Sequence, residues 1–350
     1  MASLIDTADL TLNPQEAEVV SGVVFEKVYN KPDLTAAHVV QTGVQMKTQI
    51  PFFGLLGAVG KKSVACTPNT STEKINLTQK YWDPELIDFR LIHCQNEISS
   101  LFKLWKKAKE ANKTWEQIDS PQVAFVTERT IDAAMEAVLR ITQFGDKNAA
   151  FVANAGYITA GADLDLLNMI DGLWQQIFAS GTIKRYTIPE NAEATKAAQA
   201  ALATDRALTI LRYLYNNIDA RAHKAGNLKF QVTRSLVNNW QDYLEDKSLG
   251  FTLQVTEDGK ENWRYRGIPV IVREDWDRNI ATYNDLGDTF LHPHRAILTP
   301  IENIPIGTSD EGSMSSLDSF YDKVTKSHYM DVAFYLDVKV LEEYMIAVAY

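Results

Sequence analysis

The sequence predicts an α+β fold, and three of its features lead to that prediction. Near the C-terminus, apolar and polar residues alternate with the period of two that marks a half-buried strand, and the apolar set is Val332, Phe334, Leu336, Val338 and Val340. Residues Pro121–Phe144 place apolar side chains at helical spacing. Between residues 164 and 272, helical and strand-like stretches alternate, which predicts a sheet covered by helices. A terminal strand this regular must pair with an earlier part of the chain.

Composition narrows the class of protein. The chain has 350 residues, 45% of them hydrophobic, enough for about two domains with sizeable cores. Its 35 Lys and Arg residues are scattered among 45 Asp and Glu residues, for a net charge of -10, which argues against an autonomous DNA-binding protein. Two cysteines, Cys66 and Cys94, are too few for a disulfide scaffold and indicate a reducing compartment. The sequence shows neither a secretory signal nor a run of ~20 apolar residues, so we expect a soluble protein made in a cytoplasm, without membrane contact.

Residues 1–90 predict two parts that cannot bury their apolar side chains alone. A helix that opens at Asn13-Pro14-Gln15-Glu16 and ends near Pro32 carries a valine-rich side, which predicts an arm that lies on another body. The following region predicts an extended hairpin, because a turn-rich stretch separates two β-prone runs, Ser63–Thr67 and Lys74–Thr78.

Two helices are predicted next. The first covers Glu97–Lys109, with its lysines on a solvated face. The second covers Pro121–Phe144 and is closed by Gly145 in the C-cap position. At ~1.5 Å per residue it would form a rod of roughly 36 Å, long enough to serve as a spine.

The passage Asn148–Ala162 is rich in Gly, Ala and Asn and predicts a domain boundary. Beyond it the sequence predicts helices at Leu164–Ala179, Ala192–Ala220 and Ser235–Glu245. It predicts strands at Ile183–Ile188, Leu228–Val232, Ile268–Val272 and Arg295–Thr299, and a hairpin at Phe251–Arg266 with Asp258-Gly259 at its tip. Trp276 and the loop Asp285–His294 would return the chain toward the first domain.

No catalytic, cofactor-binding or metal-binding residues are predicted. His292 and His294, with Asp288 before them, are the best metal candidates, but no third ligand stands at a recognisable spacing. Loop histidines that bond backbone are therefore the preferred interpretation. A cytoplasmic α/β enzyme that uses this His292/His294 region is kept as an alternative.

Other chemical candidates have simpler interpretations. Gly54, Gly57 and Gly60 match neither the dinucleotide nor the P-loop fingerprint, and Ser313 lacks the glycine of a nucleophile elbow. Neither Cys66 nor Cys94 has a catalytic signature, so inert thiols are expected. Three acids are interpreted as residues that stabilise helix N-termini through the dipole: Asp163, Asp165 and Asp171.

The order of these parts resembles the major capsid protein of tailed bacteriophages, the Hong Kong phage capsid fold that encapsulins share. The resemblance covers nearly the whole chain but consists of loose patterns. They are Tyr265–Val272, the strand Arg295–Thr299 leading to Asn303–Thr308, the closing segment Tyr329–Tyr350, and strand Phe230–Val232 followed by a helix.

The resemblance implies a domain division. Residues 1–50 would be an N-terminal arm and residues 51–90 an extended β-hairpin loop lying across a neighbouring subunit. Residues 91–147 and 283–350 would form a peripheral domain with the spine helix, and residues 148–282 an α/β axial domain.

The function implied is that of a virion shell protein, not an enzyme. Copies would self-assemble into hexamers and pentamers of an icosahedral-type capsid, in the cytoplasm of a bacterial host, around double-stranded DNA that is enclosed without sequence-specific binding. Portal and decoration proteins would be further partners. About fifty residues before the loop are too few for a scaffolding domain, so either a separate scaffolding protein or none is expected. An encapsulin-type compartment is the main alternative. Deletion of Pro51–Pro84 is expected to leave a folded subunit that cannot assemble.

Overall fold

The computed structural model describes residues 28, 32–44, 46–50, 80–94, 121–149, 164–224, 226–247, 254–255, 261–309, 318–322, 324–325 and 327–350. The helices are α1 (Pro32–Thr35), α2 (Pro121–Phe144), α3 (Leu173–Ala179), α4 (Lys196–Ala200), α5 (Arg206–Asn217), α6 (Ala220–Lys224), α7 (Arg234–Asp246) and α8 (Glu274–Tyr283). Short 3-10 turns lie at Leu164–Leu166, Pro189–Ala192, Ile301–Asn303 and Glu343–Met345. The strands are β1 (Val40–Gln41), β2 (Glu85–Cys94), β3 (Lys184–Tyr186), β4 (Leu228–Val232), β5 (Gln254–Val255), β6 (Glu261–Tyr265), β7 (Ile268–Val272), β8 (Ala296–Pro300), β9 (Ile306–Thr308), β10 (Asp318–Asp322), β11 (Ser327–Val338) and β12 (Ala347–Ala349).

Two mixed sheets form the body of the protein. The five-stranded sheet has the order β1-β9-β11-β10, with β2 also paired to β11. The seven-stranded sheet has the order β3-β12-β8-β4-β7-β6-β5. The closing segment of the chain therefore pairs with earlier parts in both sheets, as the sequence predicts: β11 with β2, and β12 with β3.

The long helix α2 covers one face of the five-stranded sheet. Its bounds, Pro121–Phe144, are those predicted from the sequence. The apolar side of β11 is buried at every predicted position and packs with β2 against this helix, in a cluster that includes Ile87, Val138 and Phe334. On the opposite side of β11, however, Asp337 is also buried, so the C-terminal end of the strand is covered on both faces rather than half-buried.

Helices α5 and α7 cover the seven-stranded sheet. Their apolar sides form one cluster with strands β4, β7, β8 and β12, and Phe230 lies at its centre. The turn between β6 and β7 consists of Arg266 and Gly267, which both have positive φ (50° and 84°), as a two-residue type I′ hairpin requires. The same sheet also contains β8 and β12, beside β3, β4 and β7. These two strands come from residues 283–350, which the resemblance assigns to the other domain.

Two predicted helices are wrong. Leu164–Ala179 contains only a 3-10 turn and α3, because Gly172 crosses the end of α2 and donates its backbone N–H to the carbonyl of Gly145 at 2.8 Å. Ala192–Ala220 is three elements, Pro189–Ala192, α4 and α5. Tertiary hydrogen bonds interrupt it at Ala203, whose N–H meets Glu190 and whose carbonyl meets Asn239.

Three smaller expectations also change. Gly145 does follow α2, but its φ is not positive, so it is not a left-handed cap. A glycine is needed there for a different reason, since a Cβ would lie 2.5 Å from the carbonyl of Ile170. The predicted strand Ile183–Ile188 is β3, which is shorter at both ends. The predicted strand Arg295–Thr299 is β8, which is shifted by one residue. Helix α8 was not predicted, although its first turn is acidic.

Several predictions lie outside the described residues. They are the helix after Asn13, the runs Ser63–Thr67 and Lys74–Thr78, the helix Glu97–Lys109, the boundary passage beyond Ala149, and the hairpin tip Asp258-Gly259. Of the helices that the structure describes, none is both long and apolar enough to cross a membrane.

Candidate functional site

The residues that flank positions 51–79 in the sequence lie side by side. Gln49 and Tyr81 form an antiparallel bridge. On either side of it, the N–H of Ile50 donates to the carbonyl of Lys80 at 2.9 Å and the N–H of Trp82 donates to the carbonyl of Thr48 at 2.8 Å. These paired residues, 46–50 and 80–84, are called the base below. The two ends of the intervening segment are thereby fixed side by side, which is what a long hairpin requires.

Trp82 fixes the base to the five-stranded sheet. Its side chain is 1% exposed and packs with Val44, Ile50 and Leu341. A Cβ at Gly307 would lie 2.9 Å from the Trp82 ring, so the glycine of β9 allows the indole to lie on the sheet. The base is therefore part of a core and not a mobile stalk.

Charged groups tie the base to the end of β11. The N–H of Asp83 donates to the carboxylate of Asp337 at 2.7 Å, and Lys339 lies 3.2 Å from the same carboxylate. Burial raises the pKa of Asp337. Lys147, three residues after α2, lies 3.2 Å from the Asp83 carboxylate, and this hydrogen bond lowers the pKa of Asp83. Lys80 donates to the carbonyl of Val340.

The face of the five-stranded sheet opposite α2 is open beyond the base. Cross-strand pairs on β2 and β11 place Leu86 beside Tyr335, and Ile92 beside Tyr329. Leu86 is 49% exposed and Ile92 is 55% exposed. These side chains, with Arg90 and Asp331, which form a bidentate ion pair at 2.6 Å, and Phe320, are called the open sheet face. An exposed apolar surface with a polar border is typical of a protein interface.

His294 lies in a structural network, not in a reactive site. Its Nε2 lies 2.8 Å from the carbonyl of Gln199, so this nitrogen carries the proton and Nδ1 accepts from the hydroxyl of Ser235 at 2.7 Å. This is the predicted loop histidine that bonds backbone. A serine beside a histidine suggests nucleophilic catalysis. Here, however, Nε2 of His294 meets a neutral carbonyl, and burial lowers the pKa of His294. The imidazole cannot readily hold the proton that a nucleophilic serine must give up.

His292 has different surroundings. It packs against Phe178 and Tyr350, with ring centroids 5.5 and 5.0 Å away, and its pKa is lowered to about 4 by burial and by the nearby charge of Arg295. The described residues contain no group of three or more His, Cys, Asp or Glu side chains arranged to hold a metal ion.

Arg295 is a buried cation held by neutral groups. It donates to the carbonyls of Leu291 and His292 and to the side chain of Asn284, each at 2.8 Å. Its guanidinium lies 4.8 Å from the Trp174 ring centroid, and burial lowers its pKa to about 9. It organises the 284–294 loop from within.

A cleft of about 450 Å³ lies where the base meets the seven-stranded sheet. Three of its charged groups are already engaged: Asp219 with Arg221, Glu343 with Ser180 and Thr182, and Lys80 with a carbonyl. The cleft is therefore a packing feature of the base, and we assign it no ligand.

The remaining sequence candidates do not meet at one site. Asp165 lies in the 3-10 turn Leu164–Leu166, whereas Asp171 accepts the backbone N–H of Lys147 at 3.1 Å and is not a helix first-turn acid. Outside the described residues lie Gly54, Gly57, Gly60, Cys66, Asp163, Ser313 and the side chain of Cys94. The sequence interpretation missed the base, whose only signal is Trp82 among polar neighbours, and the buried histidine His38.

No protein-family model and no curated protein matches the sequence. Solved structures do. A chain of the structure "Satellite phage P4 procapsid including size determination (Sid) protein" matches with a TM-score of 0.54 and 12% identity, over 94% of this chain and 96% of that chain. This chain has the phage capsid fold. The predicted fold class is thus confirmed, while the match is too distant in sequence to show more than the fold.

Weaker matches are of the same kind. A chain of the "Cyanophage A-1(L) capsid asymmetric unit" matches with a TM-score of 0.49 and 13% identity, over 91% of this chain and 92% of that chain. A chain of the holo-SrpI encapsulin complex from Synechococcus elongatus matches with a TM-score of 0.43 and 9% identity, over 91% and 87%. At TM-scores below 0.5, neither contributes to the proposals below.

Proposed function

We propose that this chain is the major capsid protein of a tailed DNA bacteriophage or prophage. The observation that carries the proposal is the fold shared with a chain of the P4 procapsid, because the similarity extends over 94% of this chain and 96% of that one. Copies of the chain would assemble into hexamers and pentamers of an icosahedral-type shell.

The base and the open sheet face support self-assembly physically. Residues 51–79 contain Phe52, Phe53 and Leu55, followed by Lys61 and Lys62. Both ends of this segment are fixed at the base, and the open sheet face offers apolar side chains beside the Arg90–Asp331 ion pair and the exposed Asp88 of β2. The extended loop of one copy would therefore lie on the open sheet face of the next, where apolar and charged groups both find complements. A closed symmetric shell would satisfy this contact in every copy.

We further propose the domains implied by the resemblance: an arm (1–50), an extended loop (51–90), a peripheral domain (91–147 and 283–350) and an axial domain (148–282). Because residues 80–84 lie in the base and β2 begins at Glu85, the part of the loop that reaches a neighbour would be residues 51–79. The place of β8 and β12 in the seven-stranded sheet means that residues 283–350 would link the last two domains rather than belong to one alone.

The proposed partners follow from a shell role. They are other copies of the chain, a separate scaffolding protein, a portal and a decoration protein, with the subunit made in the bacterial cytoplasm and located in the virion. The net charge of -10 suits a wall that encloses double-stranded DNA without gripping it. An encapsulin-type compartment is the competing shell: nuclease-protected DNA inside particles supports the capsid, and an enzyme cargo supports the compartment.

Sedimentation velocity and negative-stain microscopy of the purified protein test the proposal. We expect capsomer rings or megadalton particles. A monodisperse monomer at all concentrations, with or without co-expressed phage assembly proteins, would contradict it.

A loop variant tests the proposed contact separately. The sequence leads us to expect that deletion of Pro51–Pro84 leaves a folded subunit. Because Trp82 is buried, that deletion would instead remove part of a core. A short Gly/Ser linker that replaces only residues 51–79, between the paired Ile50 and Lys80, is the sharper variant. We expect subunits with unchanged thermal stability that fail to assemble. A full-length variant with Phe52, Phe53 and Leu55 changed to Ser should fail likewise, and complete particles from both variants would refute the role of the loop.

A further inference from the structure

Residues 34–41, called the strap below, bond to both sheets. Strand β1 at the end of the strap pairs in parallel with β9 of the five-stranded sheet. The carbonyls of Ala36 and Ala37 accept hydrogen bonds from Lys229 at 2.9 Å and Gln231 at 3.2 Å, which lie on β4 of the seven-stranded sheet. The strap thus connects the two sheets: its strand β1 belongs to one, and its carbonyls at Ala36 and Ala37 accept from side chains of the other.

His38 is the centre of the strap and is 1% exposed. Its Nδ1 lies 2.9 Å from the carbonyl of Ile304, in the connection between β8 and β9. Its Nε2 lies 2.8 Å from the side-chain nitrogen of Gln143, at the end of α2. The side-chain oxygen of Gln143 in turn accepts the indole N–H of Trp276, on α8, at 3.2 Å. The imidazole therefore joins two elements to the strap directly, and Gln143 extends the network to a third, α8.

Only a neutral His38 satisfies this network. A carbonyl can only accept, so Nδ1 carries the proton and Nε2 must accept from the Gln143 amide. A proton on Nε2 would face the two N–H donors of that amide. Rotation of the amide would then bring its N–H groups against the indole N–H of Trp276, so neither orientation of Gln143 accommodates a cationic His38.

Charges around His38 add to this preference. Burial lowers the pKa of His38 to about 3, and the positive charge of Arg273 acts in the same direction. Asp275 acts in the opposite direction, but it is paired with Arg273 at 2.7 Å. Gln231, which bonds the strap, also accepts from Arg273 at 3.0 Å. Lys229 is a further cation near His38, since it donates to the carbonyl of Ala36 in the strap.

We propose that the strap is an acid-sensitive latch: protonation of His38 releases residues 34–41 and uncouples the two sheets. The pKa of a histidine in water is near 6.5, and the pKa of His38 in the closed strap is far lower. The latch is therefore fully closed above about pH 6.5 and weakens as the pH falls toward about 3. At about pH 4.5, two pH units below the free value, release is favoured about 100-fold relative to neutral pH. The inference concerns the subunit itself and does not depend on the proposed shell function.

Hydrogen–deuterium exchange tests the latch in the full chain. Exchange of peptides covering residues 34–41 is compared at pH 7 and pH 4.5, corrected for the intrinsic rate, with β8 as the internal reference and the same assembly state verified by sedimentation at both values. We expect protection of the strap to fall by up to about 100-fold while β8 changes little. An equal response of strap and β8 would overturn the proposal.

Gln143→Glu is the decisive variant. A carboxylate can accept from both the protonated His38 and the Trp276 indole, which raises the pKa of His38 above its free value. The ion pair is then complete at pH 6.5, so acid should no longer open the strap between pH 6.5 and 4.5. If this variant does not fold, His38→Gln, which cannot take up a proton, should make the strap insensitive over the same range. A wild-type acid response in whichever variant folds would refute the latch.

Discussion

Asp277, in α8, holds a carboxylate where charge is costly. Its pKa is raised to about 6, chiefly by burial and further by the neighbouring Asp275 and Glu274. The backbone N–H of Arg234 donates to it at 2.8 Å and offsets only part of that cost. Because the folded-state pKa lies above the ordinary 3.8, the penalty is absent below about pH 3.8 and complete above about pH 6.

Asp277→Asn should therefore stabilise the subunit at neutral pH. The amide oxygen can still accept from Arg234, and the buried charge is gone. The shift in pKa sets an upper limit of about 3 kcal/mol on the gain in unfolding free energy at pH 7, and the gain should vanish near pH 4. Urea unfolding of isolated subunits at both pH values measures it, with Asp242→Asn, at an exposed position of α7, as the control. A gain that is equal at both pH values would show that the charge is not its cause.

At the scale of elements, the end of α2 depends on two glycines that cross. A Cβ at Gly145 would lie 2.5 Å from the carbonyl of Ile170 and 2.6 Å from that of Ile141, and one at Gly172 would lie 2.6 Å from the backbone N of Gly145. These neighbours are backbone atoms and cannot move aside as a side chain would. The close approach is what turns the chain sharply after the long helix and brings α3 against it.

Gly145→Ala should destabilise the subunit by about 3 kcal/mol, as overpacking against fixed backbone does. Gly181→Ala is the matched control, because a Cβ there meets nothing within 4 Å. Thermal unfolding of both variants measures the difference. Equal midpoints would mean that the backbone near Ile170 relaxes without cost.

Elements with a local cause could be predicted, and those with a tertiary cause could not. Helix α2 and strands β4 and β7 match their predicted bounds because their signals are local: helical periodicity and a proline start for α2, and a short apolar run after a glycine for each strand. The break at Ala203 depends on side chains of Glu190 and Asn239, which no local pattern reveals. The break at Gly172 did leave a signal, a glycine inside an apparent helix.

The candidate site shows the same division. The sequence predicted an extended segment from glycines and turn residues, but not where that segment is anchored, since Trp82 meets Gly307 across more than two hundred residues of chain. His38 likewise depends on Gln143, Trp276 and Ile304, which come from three distant segments. Long-range polar networks of this kind leave no spacing to recognise.

At the scale of the whole molecule, the open sheet face is a surface that assembly would cover. Leu86 and Ile92 are 49% and 55% exposed, while the other face of the same strand is buried against α2. Covering the exposed part of each side chain is worth about 1 kcal/mol, since full burial of a leucine or isoleucine yields about 1.5–3 kcal/mol. Each copy in a shell gains this contribution, so small terms per side chain decide whether subunits assemble.

The double variant Leu86→Gln and Ile92→Gln should therefore raise the critical concentration for assembly by roughly 10- to 30-fold, because about 2 kcal/mol of contact energy per subunit is lost. Thermal unfolding of the isolated subunit should change little, since both side chains already face water. Leu286→Gln is the matched control, at a leucine that is 56% exposed but lies in the loop after α8, away from this sheet. Light scattering against protein concentration gives the three thresholds. An equal threshold for the double variant and the wild type would show that the open sheet face stays in water in the assembled particle. The loop would then have to contact a different surface of the neighbouring copy.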